Sequence, residues 1–244
     1  MAARVLVFAF GLATYLFFLL VVLWAVVFVG DLGFLKSVDS GAPAMSWGES
    51  AAVDAALILL FGVQHSVMAR APFKAWITRW LPPAAERSVY VLASSVALVV
   101  LFTFWQPIAI AIWNHNSGWK HAALAALFWI GWALVLSSTF LVNHFDLFGL
   151  RQVWLFLRGR SYTPVPFKES WVYRRIRHPL MASFLIGFWA TPRMTIGHVL
   201  LATGMTLYIL AGIALEERDL LRTFGAAYAD YRKRVPMLLP WRIR

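Results

Sequence analysis

Uncharged apolar segments recur along the whole chain and constrain its fold more than any other feature. Hydrophobic residues make up 61% of the 244 residues and charged residues only 14%, well below the quarter that a soluble domain usually carries. As helices, five charge-free windows are long enough to cross the roughly 30 Å hydrocarbon core of a bilayer: Val5–Gly30, Ala55–Ala69, Ser88–Trp119, His121–Phe145 and Met194–Leu215. With a sixth, shorter window from Pro179 to Pro192, the sequence predicts an all-α, polytopic transmembrane helical bundle of about six apolar segments in a lipid bilayer.

The 22 lysines and arginines are distributed very unevenly between the loops. If the amino terminus is cytoplasmic, only Lys36, Lys120 and Arg193 lie on the outer side. Positively charged residues favour cytoplasmic loops, so both termini are predicted to be cytoplasmic. The net charge of +11 is then a consequence of topology, and no nucleic-acid partner is expected.

A change in composition near Asn143 divides the chain. We predict that residues 1–145 form four transmembrane helices with their loops, and that residues 146–244 form a basic cytoplasmic loop, a short transmembrane hairpin (segments five and six) and a cytoplasmic tail. The tail is predicted to be helical, with an interruption at Gly225 and an end at Pro236. The chemistry is expected in this second part.

Several functional motifs are absent from the sequence. There is no cysteine, no pair of glycines spaced as in GxG, and no HxxxH or HExxH motif. These absences argue against thiolate sites, glycine-rich nucleotide-binding turns and two-histidine helical metal sites. No metal is therefore expected.

A basic cluster stands directly before the short fifth segment. Arg177 and His178 precede Pro179, and proline is common in the first turn of a helix. Free N–H groups and the helix dipole favour an anionic ligand at that position. The preceding Arg174 and Arg175 are explained as well by simple anchoring at the membrane surface.

A pair of carboxylates, Glu216 and Glu217, follows the last apolar window. Acidic side chains at a membrane-helix end do not act as anchors and need partners. The arginines around Arg177 are the nearest candidates, and a cationic ligand is the alternative. A purely structural network that closes the hairpin would also satisfy them.

These residues resemble a known superfamily. Arg177-His178-Pro179, the Glu216-Glu217 pair and the tail that follows are similar to the isoprenylcysteine carboxyl methyltransferases, which are integral-membrane enzymes. Four further strings resemble the bacterial methanethiol S-methyltransferases, and with them the resemblance extends almost from end to end. The strings begin at Gln64, Ala85, Asn143 and Trp189, and they read QHSVMAR, AERS, NHFDLFGLRQ and WATPRMT. The carboxyl methyltransferases typically read RHPxYxG, whereas this chain has Leu180-Met181-Ala182-Ser183 after the proline.

The resemblance implies methyl transfer from S-adenosyl-L-methionine to a small thiol, methanethiol, with dimethyl sulfide as the product, in a bacterial inner membrane. It implies that Arg177, His178 and Pro179 hold the cofactor carboxylate and that Glu216 or Glu217 holds its cationic side. The adenine would lie against an aromatic side chain of the tail. The candidates are Phe224, Tyr228 and Tyr231.

A small thiol becomes a good nucleophile only when it is ionised, so a base or a hydrogen-bond acceptor is expected to face it. The candidates are His178, His144 and His65, with Asp146 available to orient a histidine. A membrane histidine that is not used in this way is a helix-packing group.

Three other functions compete with this interpretation. The first is methylation of a larger acceptor, either lipid-like or a prenylcysteine. An NADPH-dependent membrane reductase also needs arginines, but the Glu216-Glu217 pair would repel its phosphates. A non-catalytic subunit or a transporter is the third alternative, and no inverted repeat supports transport.

Overall fold

The computed structural model describes residues 1–42, 44–164 and 171–240, and it confirms the expected all-α membrane architecture. Among these residues, five helices are long and apolar enough to cross a bilayer. They are α1 (Ala2–Gly30), α2 (Trp47–Met68), α4 (Glu86–Phe104, entered through a 3₁₀ turn at Pro83–Ala85), α5 (Gly118–Val142) and α9 (Ile196–Phe224). The shorter elements are α3 (Ala71–Ile77), α6 (His144–Leu147), α7 (Leu150–Leu157), α8 (Pro179–Trp189), α10 (Ala226–Arg234) and the strands β1 (Ala111–Asn114) and β2 (Arg193–Thr195).

Helix α2 begins eight residues before the predicted window. Its start is fixed by a capping box, in which the Ser46 side chain accepts from the Glu49 N–H and the Glu49 carboxylate accepts from the Ser46 N–H. The helix therefore includes the fully buried Asp54, whose Oδ1 accepts the Gln106 N–H at 2.8 Å. A carboxylate with an internal partner is compatible with a membrane helix, and a search for charge-free windows misses such a helix start.

The third window was predicted as one segment to Trp119, and this prediction is wrong in its second half. Helix α4 ends at Phe104, because Pro107 disfavours helical backbone in the residue before it and has no N–H to donate. The apolar residues that follow include strand β1, which pairs with β2 in a two-stranded sheet. An apolar strand and an apolar helix have the same charge-free appearance in a sequence.

The described chain forms two compact units. The first comprises Met1–Ile110, Val142–Val165 and Thr195–Leu200, and the second comprises Ala111–Leu141, Pro166–Met194 and Leu201–Arg244. In the first unit α1 packs against α4 and α7, and α2 packs against α4. Its largest fully buried side chains are Trp105, Phe28 and Leu101. The predicted functional division at residue 145 stays a prediction.

In the second unit, helix α8 packs tightly against α5. A Cβ atom added to Gly131 would lie 2.7 Å from the backbone nitrogen of Gly187, so the absence of a side chain permits this close approach. Trp132 packs its ring edge-to-face against Phe184 and Phe188 of α8. The glycine contact and the aromatic ring together fix where α8 lies on α5.

Helices α8 and α9 run antiparallel. The Trp189 Nε1 donates to Thr206 Oγ1 at 3.0 Å, and the His178 ring reaches Glu217 eleven residues further along α9. With 11 residues, α8 is roughly 16 Å long, about half of the hydrocarbon thickness. The expected short hairpin is thus present, and its far end is covered by hydrogen bonds to the Thr191 and Pro192 carbonyls from the Trp113 side chain and the His115 N–H.

The tail follows the predicted plan. Helix α9 has 29 residues, about 43 Å, and is therefore longer than the hydrocarbon core by roughly nine residues. It ends at Gly225, which has a φ of 54°, a value that favours glycine, and α10 continues to Arg234. Residues 165–170 of the basic loop, with Lys168, and residues 241–244 of the tail, with Arg242 and Arg244, lie outside the described residues.

Candidate functional site

Arg177 and Glu217 form the centre of a buried polar cluster in the second unit. The Arg177 Nε donates to Glu217 Oε1 at 2.7 Å, and both side chains are about nine-tenths buried, with 10% and 11% exposed. The second Glu217 oxygen lies 3.8 Å from Nη1 of Arg232. The expected pairing of the Glu216-Glu217 pair with the arginines near residue 177 is therefore confirmed for Glu217.

His178 lies between the two carboxylates. Its Nε2 is 3.1 Å from Glu217 Oε1, and its Nδ1 is 3.6 Å from Glu216 Oε2. The His178 side chain is buried, whereas that of Glu216 is 51% exposed. Each ring nitrogen thus has an acidic neighbour, and Glu216 keeps an accessible face toward solvent or a ligand.

A strap formed by residues 235–237 closes the site by pairing with the entry to α8. The Arg177 N–H donates to the Pro236 carbonyl at 2.9 Å and the His178 N–H donates to the Met237 carbonyl at 3.1 Å. The Arg177 side chain also donates through Nη1 to the carbonyls of Arg232 and Val235. Arg177 therefore ties helix α9, helix α10 and the strap to the start of α8.

The guanidinium of Arg177 is not fully used by these bonds. The bonds occupy its Nε and Nη1, and within the described ranges its Nη2 has no hydrogen-bond partner. The first turn of α8 adds the N–H groups of Leu180 and Met181, and no side chain caps this helix. These donors point to an anionic group as the matching ligand.

Tyr228 and Tyr231 lie in a small buried core with Val235, against which Leu220 and Leu221 pack. The Tyr231 hydroxyl donates to the Tyr173 carbonyl at 2.7 Å. The Tyr228 hydroxyl is buried and makes no hydrogen bond of ordinary geometry in the part of the chain that is described. Burial, together with the nearby charge of Glu217, raises the pKa of Tyr228 to about 12, so its hydroxyl stays a proton donor at neutral pH.

Two of the eight predicted cofactor-binding residues are exposed, Glu216 and, further along the same helix, Phe224. Phe224 stands at the end of α9 with 46% of its surface exposed. The other seven come together around the start of α8, the end of α9 and α10. They are Arg177, His178, Pro179, Glu216, Glu217, Tyr228 and Tyr231.

The other predicted catalytic residues belong to the first unit. His65 lies between Tyr90, whose hydroxyl contacts Nε2, and Ser94, whose hydroxyl is 3.0 Å from Nδ1. His144 is buried, with its Nε2 2.7 Å from the Tyr15 hydroxyl, and burial lowers its pKa. These contacts involve neutral groups.

Asp146 stands two residues after His144 but has other partners. Its carboxylate accepts Arg151 Nη1 at 2.8 Å and the Tyr162 hydroxyl at 3.2 Å. The Arg151 side chain also donates to Thr163. This network fastens the loop after α7 to α6.

Sequence reasoning missed three parts of the second-unit cluster: Arg232, Tyr173 and the carbonyls of the strap. Arg232 was predicted only as one of the basic residues of the tail. The only sequence signal for the backbone acceptors of the strap is the Val235-Pro236 pair. Proline has no N–H and does not continue a helix, so the chain after α10 is not helical and its carbonyls are available to the start of α8.

Comparison with known proteins gives consistent matches over the chain. The family described as "NnrU protein" matches residues 55–239. A "Methanethiol S-methyltransferase" of Mycobacterium tuberculosis is 50% identical over 98% of this chain and 97% of its own length. A second protein of that name, from Pseudomonas sp., is 48% identical over 96% of this chain and 89% of its own length.

A more distant relative has a different name. "Nurim" of Sus scrofa is 30% identical over 68% of this chain and 66% of its own length. No solved structure matches the chain.

Proposed function

The chain belongs to the methanethiol S-methyltransferase family, within the NnrU protein family, and from this premise we propose that the polar cluster around Arg177 and Glu217 binds S-adenosyl-L-methionine for methylation of methanethiol to dimethyl sulfide. The protein is a thiol S-methyltransferase. The observation that supports the reaction most directly is the identity of 50% over 98% of the chain. The observation that supports the site is the convergence of acidic, basic and aromatic residues in the second unit.

The residues present fit the methyl donor. S-adenosyl-L-methionine carries a carboxylate, an ammonium, a sulfonium and an adenine, and when bound it supplies the activated methyl group. The Nη2 of Arg177, which has no hydrogen-bond partner among the described residues, and the N–H groups at the start of α8 match the carboxylate. The buried hydroxyl of Tyr228, which makes no hydrogen bond of ordinary geometry within the described residues, offers one more donor.

The two glutamates have different roles in the proposal. Glu217 is already bonded to Arg177 and His178, so it positions the guanidinium rather than the ligand. Glu216 is half-exposed and is the better group to hold the ammonium. The aromatic rings of Tyr228, Tyr231 and Phe224 are the candidates for the adenine, as predicted from the sequence.

The acceptor thiol must be ionised or hydrogen-bonded when it attacks. We assign the proton of the thiol to His178, because its Nδ1 lies 3.6 Å from Glu216 Oε2 and the negative charge of that carboxylate stabilises a protonated ring. His144 and His65 stay alternatives. Asp146 has no part in this proposal, since its carboxylate holds Arg151 and Tyr162.

The protein is an integral membrane protein, with five helices among its described residues that are long and apolar enough to cross a bilayer. We propose that both termini face the cytoplasm of a bacterial inner membrane, as the charge distribution predicts. This orientation opens the Arg177–Glu217 cluster to the cytoplasmic cofactor pool. Reporter fusions at residue 40 and residue 244 should report opposite sides of the membrane, and matching sides would contradict the proposal.

Membranes that contain the chain provide the test. When supplied with methanethiol and S-adenosyl-L-methionine, they should release dimethyl sulfide into the headspace, whereas membranes without the chain should not. A prenylcysteine analogue, offered in parallel, should not be methylated. Product from the analogue alone would favour the larger acceptor, and binding of NADPH in place of S-adenosyl-L-methionine would favour the reductase.

A further inference from the structure

A groove on the first unit is lined by none of the residues assigned to methyl transfer. Its volume is about 390 Å³, within the range of small-molecule sites. Helices α1, α6 and α7 form its walls together with the turn at Asn143. The lining residues are Phe8, Leu12, Asn143, Phe145, Leu150, Arg151 and Trp154.

The groove has a direction, because α1 and α7 run antiparallel. Arg4 at the start of α1 lies over the Phe156 ring, with its Cζ 5.9 Å from the ring centroid. One turn further along α1, Phe8 meets Trp154 at a centroid distance of 5.7 Å. The groove therefore runs from the amino-terminal end of α1 toward Leu12, deeper in the apolar part of that helix.

The end of the groove near Arg4 is strongly basic. Arg158 lies over Trp154, one of the aromatic residues that line the groove, with its Cζ 5.7 Å from the ring centroid. Arg160 follows two residues later. All three arginines are exposed, and no acidic side chain of the described ranges pairs with them. In contrast, the charge of Arg151 at the deeper end is balanced by Asp146.

We propose that this groove is a binding site for an anionic phospholipid, with an acyl chain between α1 and α7 and the phosphate against Arg4 and Arg158. Guanidinium groups match phosphate oxygens bidentately and are held here over aromatic rings, which reduces the entropy lost on binding. Apolar walls with a basic mouth are the complement of a lipid with a negative headgroup. Methanethiol is far too small to fill the groove.

Binding is tested on the intact chain by native mass spectrometry in detergent, with phosphatidylglycerol or phosphatidylcholine added at equal concentration. The double variant Arg4→Gln/Arg158→Gln removes the basic mouth, and it should weaken retention of phosphatidylglycerol about thirty-fold without changing that of phosphatidylcholine. The variant Arg79→Gln, which removes an exposed arginine outside the groove, is the control for overall charge.

A second variant tests the apolar part. Leu12→Trp fills the groove, while Leu20→Trp adds the same side chain at an exposed position of α1 outside the groove. Only Leu12→Trp should lose the bound phosphatidylglycerol. The proposal is overturned if both tryptophan variants retain lipid like the wild type, if Arg79→Gln has the same effect as the double variant, or if inorganic phosphate alone displaces the lipid completely.

Discussion

Two histidines, His178 and His65, show how differently the two units treat a polar side chain. His178, in the second unit, has a carboxylate within 3.6 Å of each ring nitrogen and is adjacent in sequence to the buried Arg177. His65, in the first unit, has the hydroxyls of Tyr90 and Ser94 at its two ring nitrogens.

The difference separates a candidate binding site from internal packing. Neutral hydroxyl partners satisfy the hydrogen-bonding groups of a partly buried histidine. Buried charges are far more expensive to desolvate, and a compensated charged cluster at a membrane-helix end is a functional-site hypothesis by default. The charged cluster of the second unit is therefore the better candidate for a ligand that carries both signs of charge.

The largest expected effect comes from removing the central arginine. Arg177→Met leaves Glu217 buried without its main partner and breaks the bonds to the strap, so we expect a loss of about 3–5 kcal/mol in the free energy of unfolding. Arg151→Met removes the corresponding ion pair of the first unit, whose side chains are 27% and 17% exposed, and should cost about 1 kcal/mol. Unfolding in mixed micelles measures the stability of both variants. Equal losses in Arg177→Met and Arg151→Met would contradict the difference drawn between the two units.

The next effect concerns the support of α8. Gly131→Ala would place its Cβ atom 2.7 Å from the Gly187 nitrogen and should cost about 1–3 kcal/mol through overpacking, with loss of methyltransferase activity as α8 shifts. Gly212→Ala on α9 is the matched control, because no described atom lies within 4 Å of its added Cβ. If both variants kept full activity, the position of α8 would not control the site.

A smaller effect distinguishes the two tyrosines of the tail. Tyr231→Phe removes the bond to the Tyr173 carbonyl and should lower stability by about 0.5–1.5 kcal/mol. Tyr228→Phe removes a hydroxyl that has no ordinary hydrogen bond within the described residues, so stability should not fall, while affinity for S-adenosyl-L-methionine should. Thermal unfolding measures the stability of each variant, and calorimetry measures its affinity for S-adenosyl-L-methionine. If Tyr228→Phe lost stability and kept its affinity, Tyr228 would be a structural residue.

The smallest effect is a pH dependence of the first unit. Burial lowers the pKa of His144, so the unfolded chain binds a proton at higher pH than the folded chain does. The free energy of unfolding should therefore decrease as the pH falls from about 6.5, the pKa of an ordinary histidine, toward the lower pKa that His144 has in the folded protein. His144→Gln should flatten this slope. An identical slope in the variant would assign the pH dependence to another group.

Much of this arrangement could be predicted from the sequence. Long charge-free runs predicted α1, α5 and α9, and the Glu216-Glu217 pair indicated a need for basic partners, which Arg177 supplies to Glu217. Other features could not be predicted. Strand β1 is as apolar as a helix, and the charge-free window left out the first turns of α2 because Asp54, whose carboxylate accepts the Gln106 N–H, lies within them. That contact joins residues 52 positions apart. The strap acts through its backbone, for which side-chain patterns carry no signal.

The most direct test of the charged-cluster assignment is the affinity for S-adenosyl-L-methionine of two purified variants, measured by calorimetry on folded protein. Glu217→Gln removes the charge that positions Arg177, and it should weaken binding by about one to two decades. Tyr90→Phe removes the hydroxyl bound to His65 and should leave the affinity unchanged. Unchanged binding in Glu217→Gln together with weakened binding in Tyr90→Phe would contradict the account and move the cofactor to the first unit.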